Sequence, residues 1–274
     1  MTEARNYKLC VVKYGGNAMT DEAIRDEVIR IIAEIHSSEY RIVLVHGGGP
    51  FIAETLAMAG MESTFIGGHR QTSPEALRYT EMALKGWVNG NLVSLLNKAG
   101  CRAVGLSGKD GRMATAVKRL HQSPEGKQID LGSVGDISTI DPVLLHLLLE
   151  AHYLPVLTCL AQGEDGEEYN VNADMFAGAV AAALQADLFL ILSDIDGIMM
   201  NPGDTNSLLR EVSISQGKKM MTDNIIKGGM IPKIEACFSA LSKGVGNVRI
   251  INGTQPQQIV DSMKHIPTGT RIKL

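Results

Sequence analysis

Nowhere does this sequence of 274 residues hold the roughly 20 consecutive apolar residues needed to span a bilayer. Its first residues, MTEARNYK, are charged where a secretory signal would place an apolar stretch. These absences predict a cytoplasmic protein without a membrane partner. Blocks of like charge are absent too. The 26 basic and 30 acidic residues are interspersed to a formal charge of −4, which leaves no electrostatic footprint for nucleic acid and makes small molecules the default partners. Cysteine is sparse: Cys10, Cys101, Cys159 and Cys237 form neither CxxC pairs nor Cys/His clusters. They read as reduced, buried thiols and not as a metal site, although spacing alone leaves a disulfide open.

Several catalytic signatures are also missing. No GxxxxGK[ST] occurs, which removes a P-loop, and no GxGxxG opens the first βα unit for a dinucleotide. The HRD and DFG pair of protein kinases is absent. HGGG at His46 to Gly49 looks like the oxyanion loop of lipases, yet the GxSxG elbow that such chemistry requires is not there. His46 is therefore read as a polar cap on a buried strand, without a catalytic role.

What is present suits a globular α/β protein, with 45% apolar and 20% charged residues. LCVVKY is an apolar strand, and in TDEAIRDEVIRIIAEI the residues Ile24, Val28, Ile31 and Ile35 fall on one helical face behind Thr20 or Asp21 as N-cap. RIVLVHGGG and PFIAETLAMAG repeat the pattern of strand, glycine loop and helix. A helical region beginning at SPEAL runs towards Asn97 with a bend expected near Gly86 or Gly90. RAVGLSG reads as a strand, and KDGRMATAVKRLHQSPEGKQIDLGSVGDIS as antiparallel hairpins standing off the main sheet. DPVLLHLLLEAH, NADMFAGAVAAALQA, GGMIPKIEACFSALSKG and PQQIVDSMKH read as helices; LPVLTCLA, LFLILSDIDGIMM, NVRIIN and TRIKL read as strands. This alternation predicts a doubly wound, mainly parallel sheet. No composition shift marks a linker, so two lobes sharing one sheet are expected.

In such sheets ligands bind beyond the carboxyl ends of the strands. Glycine-rich turns occupy those positions at Gly15 and Gly16, at Gly47 to Gly49, and at Gly105 to Gly111, where backbone amides can approach an anion. Lys13 ends a strand that is otherwise apolar, a costly place for an ammonium unless it meets an anion. Lys233 stands in the first turns of a helix, against the dipole, and is either solvated or placed for an anion. Arg70, in GGHRQTS, is able to hold a carboxylate bidentately. Asn170, Asn172 and Asp174 alternate along an extended segment leading into a helix; a cap accounts for one of them. Asp194 and Asp196 follow a buried strand, where a turn and a nucleotide or magnesium contact are competing readings.

The set KYGG, HGGGP, GHR, GLSGKDG, NVNAD, SDIDGI and GGMIPK, in this order, resembles the amino acid kinase family over essentially the full chain. The resemblance implies a three-layer αβα sandwich with a mainly parallel central sheet and antiparallel hairpins over the substrate site. It also implies an acyl-amino-acid lobe over about residues 1–173 and a nucleotide lobe over about 174–274. The implied reaction moves the γ-phosphoryl group of ATP, with Mg²⁺, onto the side-chain carboxylate of N-acetyl-L-glutamate, the second step of arginine biosynthesis. N-succinylglutamate, carrier-bound aminoadipate, and a non-catalytic sensor on the same fold are the alternatives. Carried over by position, Lys13 and Lys233 flank the phosphoryl group and Asp174 holds them. Gly15, Gly16, Gly47 and Gly48 supply amides to the phosphoryl group and the acceptor, and Arg70, Asn170 and Asn172 bind the acyl-glutamate. Ser193, Asp194, Asp196, Gly197, Ile198, Gly229 and Met230 contact the nucleotide. The family's substrate loop reads GxRxTD, whereas Ser73 stands here where the acid belongs. The short segment before the first strand and the ending IPTGTRI suggest an arginine-insensitive homodimer.

Overall fold

The structure, a computed structural model, describes residues 7–38, 40–122 and 126–274. Residues 1–6, which carry the secretion argument, lie outside the described residues.

The first βα unit is β1 (Lys8–Tyr14) and α1 (Glu22–His36), with the Asp21 carboxylate accepting the Ile24 N–H at 2.9 Å as N-cap. It is followed by β2 (Tyr40–His46) and α2 (Gly49–Met58), with Pro50 in the first turn as expected. A two-residue hairpin, β3 (Phe65–Ile66) and β4 (His69–Arg70), precedes α3 (Pro74–Glu81). The helical path then continues through a wider, π-helical stretch (Met82–Asn89) into α4 (Gly90–Lys98). Near Gly86 and Gly90, where a bend is expected, the helix widens: the π-helical stretch Met82–Asn89 contains Gly86, while Asn89 and Gly90 keep helical dihedrals.

Next come β5 (Ala103–Ser107), β6 (Ala114–Gln122), β7 (Gln128–Ile140), α5 (Val143–Glu150), β8 (Leu154–Thr158), β9 (Leu160–Gly163), β10 (Glu168–Val171) and α6 (Ala173–Ala183). β6 and β7 form the expected antiparallel hairpin; residues 123–125, between them in the chain, lie outside the described residues. The hairpin does not stand alone. LPVLTCLA divides after Thr158, and its second half, β9, closes a four-stranded ring with β6, β7 and β10.

The chain ends with β11 (Leu188–Ser193), β12 (Glu211–Ser213), α7 (Ile214–Thr222), α8 (Met230–Ser242), β13 (Asn247–Asn252), α9 (Gln257–Met263) and β14 (Thr270–Lys273). β11 stops at Ser193, so DIDGIMM is loop and not strand. β12 and α7 have no counterpart in the sequence reading, although the capping box of Ser213 and Gln216 marks where α7 begins.

The main sheet has the order β12-β14-β13-β11-β1-β2-β8-β5, and its central pairings are parallel; only β13 and β14 pair antiparallel. Helices cover both faces, as near-continuous apolar strands require. Side chains alternate between the faces along β1. Leu9 and Val11 join a core with Phe176 and Val180 of α6 and Ile234 and Cys237 of α8. Cys10, Val12 and Tyr14 join another with Val28 and Ile32 of α1, Leu92 of α4 and Ile259 of α9. Lys13 continues the row of Leu9 and Val11, so its ammonium is directed to the layer of α6 and α8.

Among the described residues no helix is long and apolar enough to cross a membrane. All four cysteines are free, and Cys10, Cys159 and Cys237 are buried as expected, while Cys101 is partly exposed.

Candidate active site

A cleft of about 270 Å³ opens at the carboxyl ends of β1 and β2. The amino ends of α2 and α6 point into it, an arrangement that favours anions. Lys13 and Asp174 line it, and with Lys233 of α8, which does not, they form a three-residue charge array. The Lys13 ammonium lies 3.1 Å from Asp174 Oδ1 and the Lys233 ammonium 2.9 Å from Asp174 Oδ2. Lys13 and Asp174 are only 6% and 4% exposed. Burial pushes the Asp174 carboxyl up, but the two ammonium groups outweigh it and hold the group below the usual carboxylate range. Burial lowers the Lys13 pKa; Asp174 opposes that and the nearby Lys233 adds to it. The array therefore carries one carboxylate and two cations, a surplus of positive charge facing a cavity lined by amides.

Backbone approach makes this possible. α6 and α8 touch where an added Cβ on Gly178 would stand 3.0 Å from the Ala236 carbonyl oxygen. Gly178 lies one turn beyond Asp174, and Ala236 lies one turn beyond Lys233, so this contact carries Lys233 to its partner. Lys233 is thus neither fully solvated nor waiting alone for a ligand.

The glycine turns divide by what their amides already do. Gly47 N–H donates to the Tyr14 carbonyl at 2.9 Å, extending the pairing of β1 and β2, so this amide is not free for a phosphoryl oxygen as expected. The amides of Gly16 and Gly48 have no acceptor among the described residues. Gly16 has φ +72°, and a Cβ there would fall 2.5 Å from Asp194 Oδ1, so no side chain fits between the two.

Arg70 is buried at the cleft wall, where its guanidinium donates to the Gly49 carbonyl at 3.0 Å, contacts Ser63 Oγ and stacks on Phe65 at 4.6 Å. Asn170, on β10, lies across from it, with Nδ2 3.4 Å from Thr72 Oγ1. Asn172 also lines the cleft, but its Oδ1 accepts the amides of Asp174 and Met175 as the α6 N-cap, which corrects the picture of three Asx side chains in one extended row. Asp174 belongs to the helix, and the cap sets its direction. Cys159 faces the same cleft with its thiol pushed up to about 12 by burial, so it is protonated and no nucleophile.

Ser73, where the sequence departs from the expected loop pattern, is exposed and does not line the cleft. Its hydroxyl accepts the Ala76 N–H at 3.1 Å as the N-cap of α3, a task that aspartate performs equally well. The substitution changes a cap and leaves the cleft untouched.

A second cavity, of about 520 Å³, lies beyond β11 and is lined by Asp194, Asp196, Gly197, Ile198 and Met230 among others. Asp196 Oδ1 accepts from Asn252 Nδ2 at 2.8 Å and Gln255 Nε2 at 3.1 Å, which ties the turn to the end of β13. Lys227, absent from the sequence reading, also lines this cavity. Ser193 and Gly229 line neither cavity: Ser193 is buried at the end of β11 and Gly229 is the N-cap residue of α8. Asp194, beside Gly16, stands between the two cavities.

The model of the amino acid kinase family matches residues 8–252. This chain belongs to the amino acid kinase family. Within curated proteins it is 43% identical over 257 residues to acetylglutamate kinase of Desulfitobacterium hafniense, covering 92% of this chain and 86% of that one. To acetylglutamate kinase of Afipia carboxidovorans it is 44% identical over 268 residues, covering 96% and 90%. Among solved structures, smu.665 from Streptococcus mutans superposes with a TM-score of 0.78 at 28% identity, covering 97% of this chain and 98% of that one. As an amino acid kinase family member, the chain has the αβα architecture its motifs implied, and it is a kinase.

Proposed function

We propose that this protein transfers the γ-phosphoryl group of ATP to the side-chain carboxylate of N-acetyl-L-glutamate, giving N-acetylglutamyl 5-phosphate for arginine biosynthesis. The observation that carries the proposal is the Lys13, Asp174 and Lys233 array beneath the free amides of Gly16 and Gly48. The names of relatives more than 40% identical over most of the chain support the choice of acceptor.

In this reading the acyl-glutamate lies in the first cleft, its carboxylates near Arg70 and Asn170, and the nucleotide lies in the second cavity with its phosphates reaching past Asp194 towards Gly16. The acceptor carboxylate oxygen attacks the γ-phosphorus while the bond from that phosphorus to the β–γ bridging oxygen breaks, and ADP leaves with the electron pair. Lys13 and Lys233 lie on the two sides of that group and offset the charge of two anions brought together. No general base is required, because the acceptor is already ionised near neutral pH. Positioning and electrostatic stabilisation are what phosphoryl transfer asks of a protein.

Mg²⁺ does not fit a protein cage here. Both Asp174 oxygens face lysines, and the described residues hold no group of three metal-ligating side chains. The ion would enter as part of the nucleotide, held by its phosphates. The same reading divides the work near residue 173 between an acyl-amino-acid lobe and a nucleotide lobe, and places a homodimer in the cytoplasm.

An ATP-dependent hydroxamate assay tests it, with acetylglutamate, succinylglutamate, glutamate, aspartate and aminoadipate as acceptors. Acetylglutamate is expected to give the highest kcat/KM. Preference for another acceptor would overturn the substrate, and no hydroxamate from any of them would favour a non-catalytic sensor.

A further inference from the structure

His46 closes β2 directly before the glycine turn, fully buried, and the phosphoryl-transfer reading gives it nothing to do. Its two ring nitrogens are nonetheless both engaged. Nδ1 lies 2.8 Å from the carbonyl oxygen of Gly47, and Nε2 lies 2.9 Å from Nδ2 of Asn89, at the end of the π-helical stretch. Asn89 Nδ2 also lies 2.9 Å from the carbonyl oxygen of Val156 on β8.

These contacts determine where the protons are. A carbonyl oxygen only accepts, so the group facing Val156 is the amide NH₂ of Asn89. Its second hydrogen is then directed to Nε2 of His46, which must offer a lone pair. At the other side of the ring the carbonyl of Gly47 also only accepts, so Nδ1 must carry the proton. Both ends of the ring therefore demand the same neutral Nδ1–H tautomer. Burial agrees with a neutral ring: it pushes the His46 pKa down to about 4, and the cation of Lys85 acts in the same direction.

The consequence reaches the cleft through one peptide unit. In a trans peptide the C=O and the following N–H lie on opposite edges of the plane, and no cis bond occurs among the described residues. A carbonyl of Gly47 held towards His46 turns the N–H of Gly48 the other way, into the cleft that Gly47, Gly48 and Gly49 line. That N–H has no acceptor among the described residues.

We propose that His46, held in its Nδ1–H form by Asn89, is a positioning residue that aims the Gly48 amide at the transferring phosphoryl group. The proposal rests on the phosphoryl-transfer reading for the amide's target, while the tautomer itself stands apart from turnover. A flexible Gly-Gly peptide would otherwise present either its carbonyl or its amide to the cleft, and a carbonyl there would repel the phosphoryl oxygens. The ring and Asn89 remove that choice before substrate arrives.

The test has two arms, both on the full chain. Long-range ¹H–¹⁵N NMR of histidine-labelled wild-type protein near neutral pH is expected to show a protonated Nδ1 and an unprotonated Nε2 for the His46 ring, whose signals are assigned by their loss in His46→Asn and so kept apart from those of the buried His36 and His69. The opposite tautomer, or a charged ring, overturns the proposal whether or not the protein turns over. The kinetic arm compares His46→Asn, whose amide nitrogen is able to take the place of Nδ1 as donor, with His46→Leu, which has no donor. His46→Leu is expected to lower kcat by about 10- to 100-fold with little change in KM for ATP, near the low end of what a single lost oxyanion donor costs. His46→Asn is expected to recover kcat to within about threefold of wild type, on the scale of a retained hydrogen bond. Equal losses in the two variants, or a change confined to KM, overturn the proposal. Should His46→Leu fail to fold, the NMR arm and His46→Asn still decide it. Absence of activity in the wild type instead sinks the phosphoryl-transfer reading and leaves the tautomer result to stand alone.

Discussion

Replacing Asp174 by Asn isolates the electrostatic keystone of the cleft. The amide keeps the shape of the side chain and removes one negative charge from between two ammonium groups, at 3.1 and 2.9 Å. Lys13, at 6% exposure, has little access to water, whereas the Lys233 side chain is 18% exposed and is partly hydrated. Removing one partner of a buried pair costs about 3–5 kcal/mol, and the partial hydration of Lys233 places this case near the lower end, about 3 kcal/mol close to pH 6. The deficit should also depend on pH in a definite direction. Burial already lowers the Lys13 pKa from 10.5, and Asp174 is the main group opposing it. Without that carboxylate the folded-state value falls further. A lysine with a depressed folded-state pKa carries its full penalty below that value, and the penalty fades as pH rises towards the unfolded value. Urea denaturation of wild type and variant near pH 6 and near pH 9 should therefore show a deficit that shrinks on the alkaline side. A deficit below about 1 kcal/mol near pH 6, or one indifferent to pH, would mean that Asp174 does not hold the charge of Lys13.

Three further outcomes follow from the geometry. Gly178→Val puts a branched side chain where a Cβ already stands 3.0 Å from the Ala236 carbonyl, so α6 and α8 must separate. Stability should fall by about 1–3 kcal/mol, and kcat in the hydroxamate assay should fall more than the KM for ATP rises. Ser73→Asp exchanges one good N-cap for another on an exposed turn, so thermal melting and kcat/KM should stay at wild-type values, while Ser73→Ala should cost about 1 kcal/mol. Burial holds His46 at about 4 against an ordinary 6.5. The unfolded chain then takes up a proton as pH falls through about 6.5 while the folded chain does not until about 4. Stability should therefore decline across that window, by about 3 kcal/mol for this group, and His46→Asn should flatten the decline in denaturation curves.

The amino acid sequence already disclosed the frame of the site. Lys13 was marked by its chemistry, a lone ammonium in an apolar strand, and period-two alternation along β1 directs it to the face that α6 and α8 cover. Lys233 was marked by its position against a helix dipole. What local pattern could not disclose was produced by long-range contact. Asp174 looked like the third member of an extended row, and only the capping of α6 by Asn172 turns it towards both lysines. The Gly47 amide looked free until β1 claimed it, since nothing nearby in the chain identifies Tyr14 as its acceptor. Asn89 and His46 are 43 positions apart and meet at the end of the widened stretch Met82–Asn89, which no local pattern announces. β9 went unseen because LPVLTCLA reads as one apolar run, whereas its halves belong to different sheets. In the segment 211–222 the pair Ser213 and Gln216 carries a helix-start signal, but no apolar period follows it strongly enough to declare α7.

In the proposed reaction two lysines pinned by one carboxylate flank a phosphoryl group on its way to a carboxylate. Real-time ³¹P NMR of the protein with MgATP and N-acetylglutamate tests it most directly, run beside Lys13→Met and Lys233→Met. A lost unit charge about 4 Å from the transferring group is worth about 4 kcal/mol near a protein surface, or about 10³-fold in rate. The prediction is loss of the γ-phosphoryl resonance with growth of an acyl phosphate signal in the wild type, only when acceptor is present, and rates lower by about that factor in each variant. Transfer at wild-type rates in both variants, or no acyl phosphate from the wild type, would contradict it.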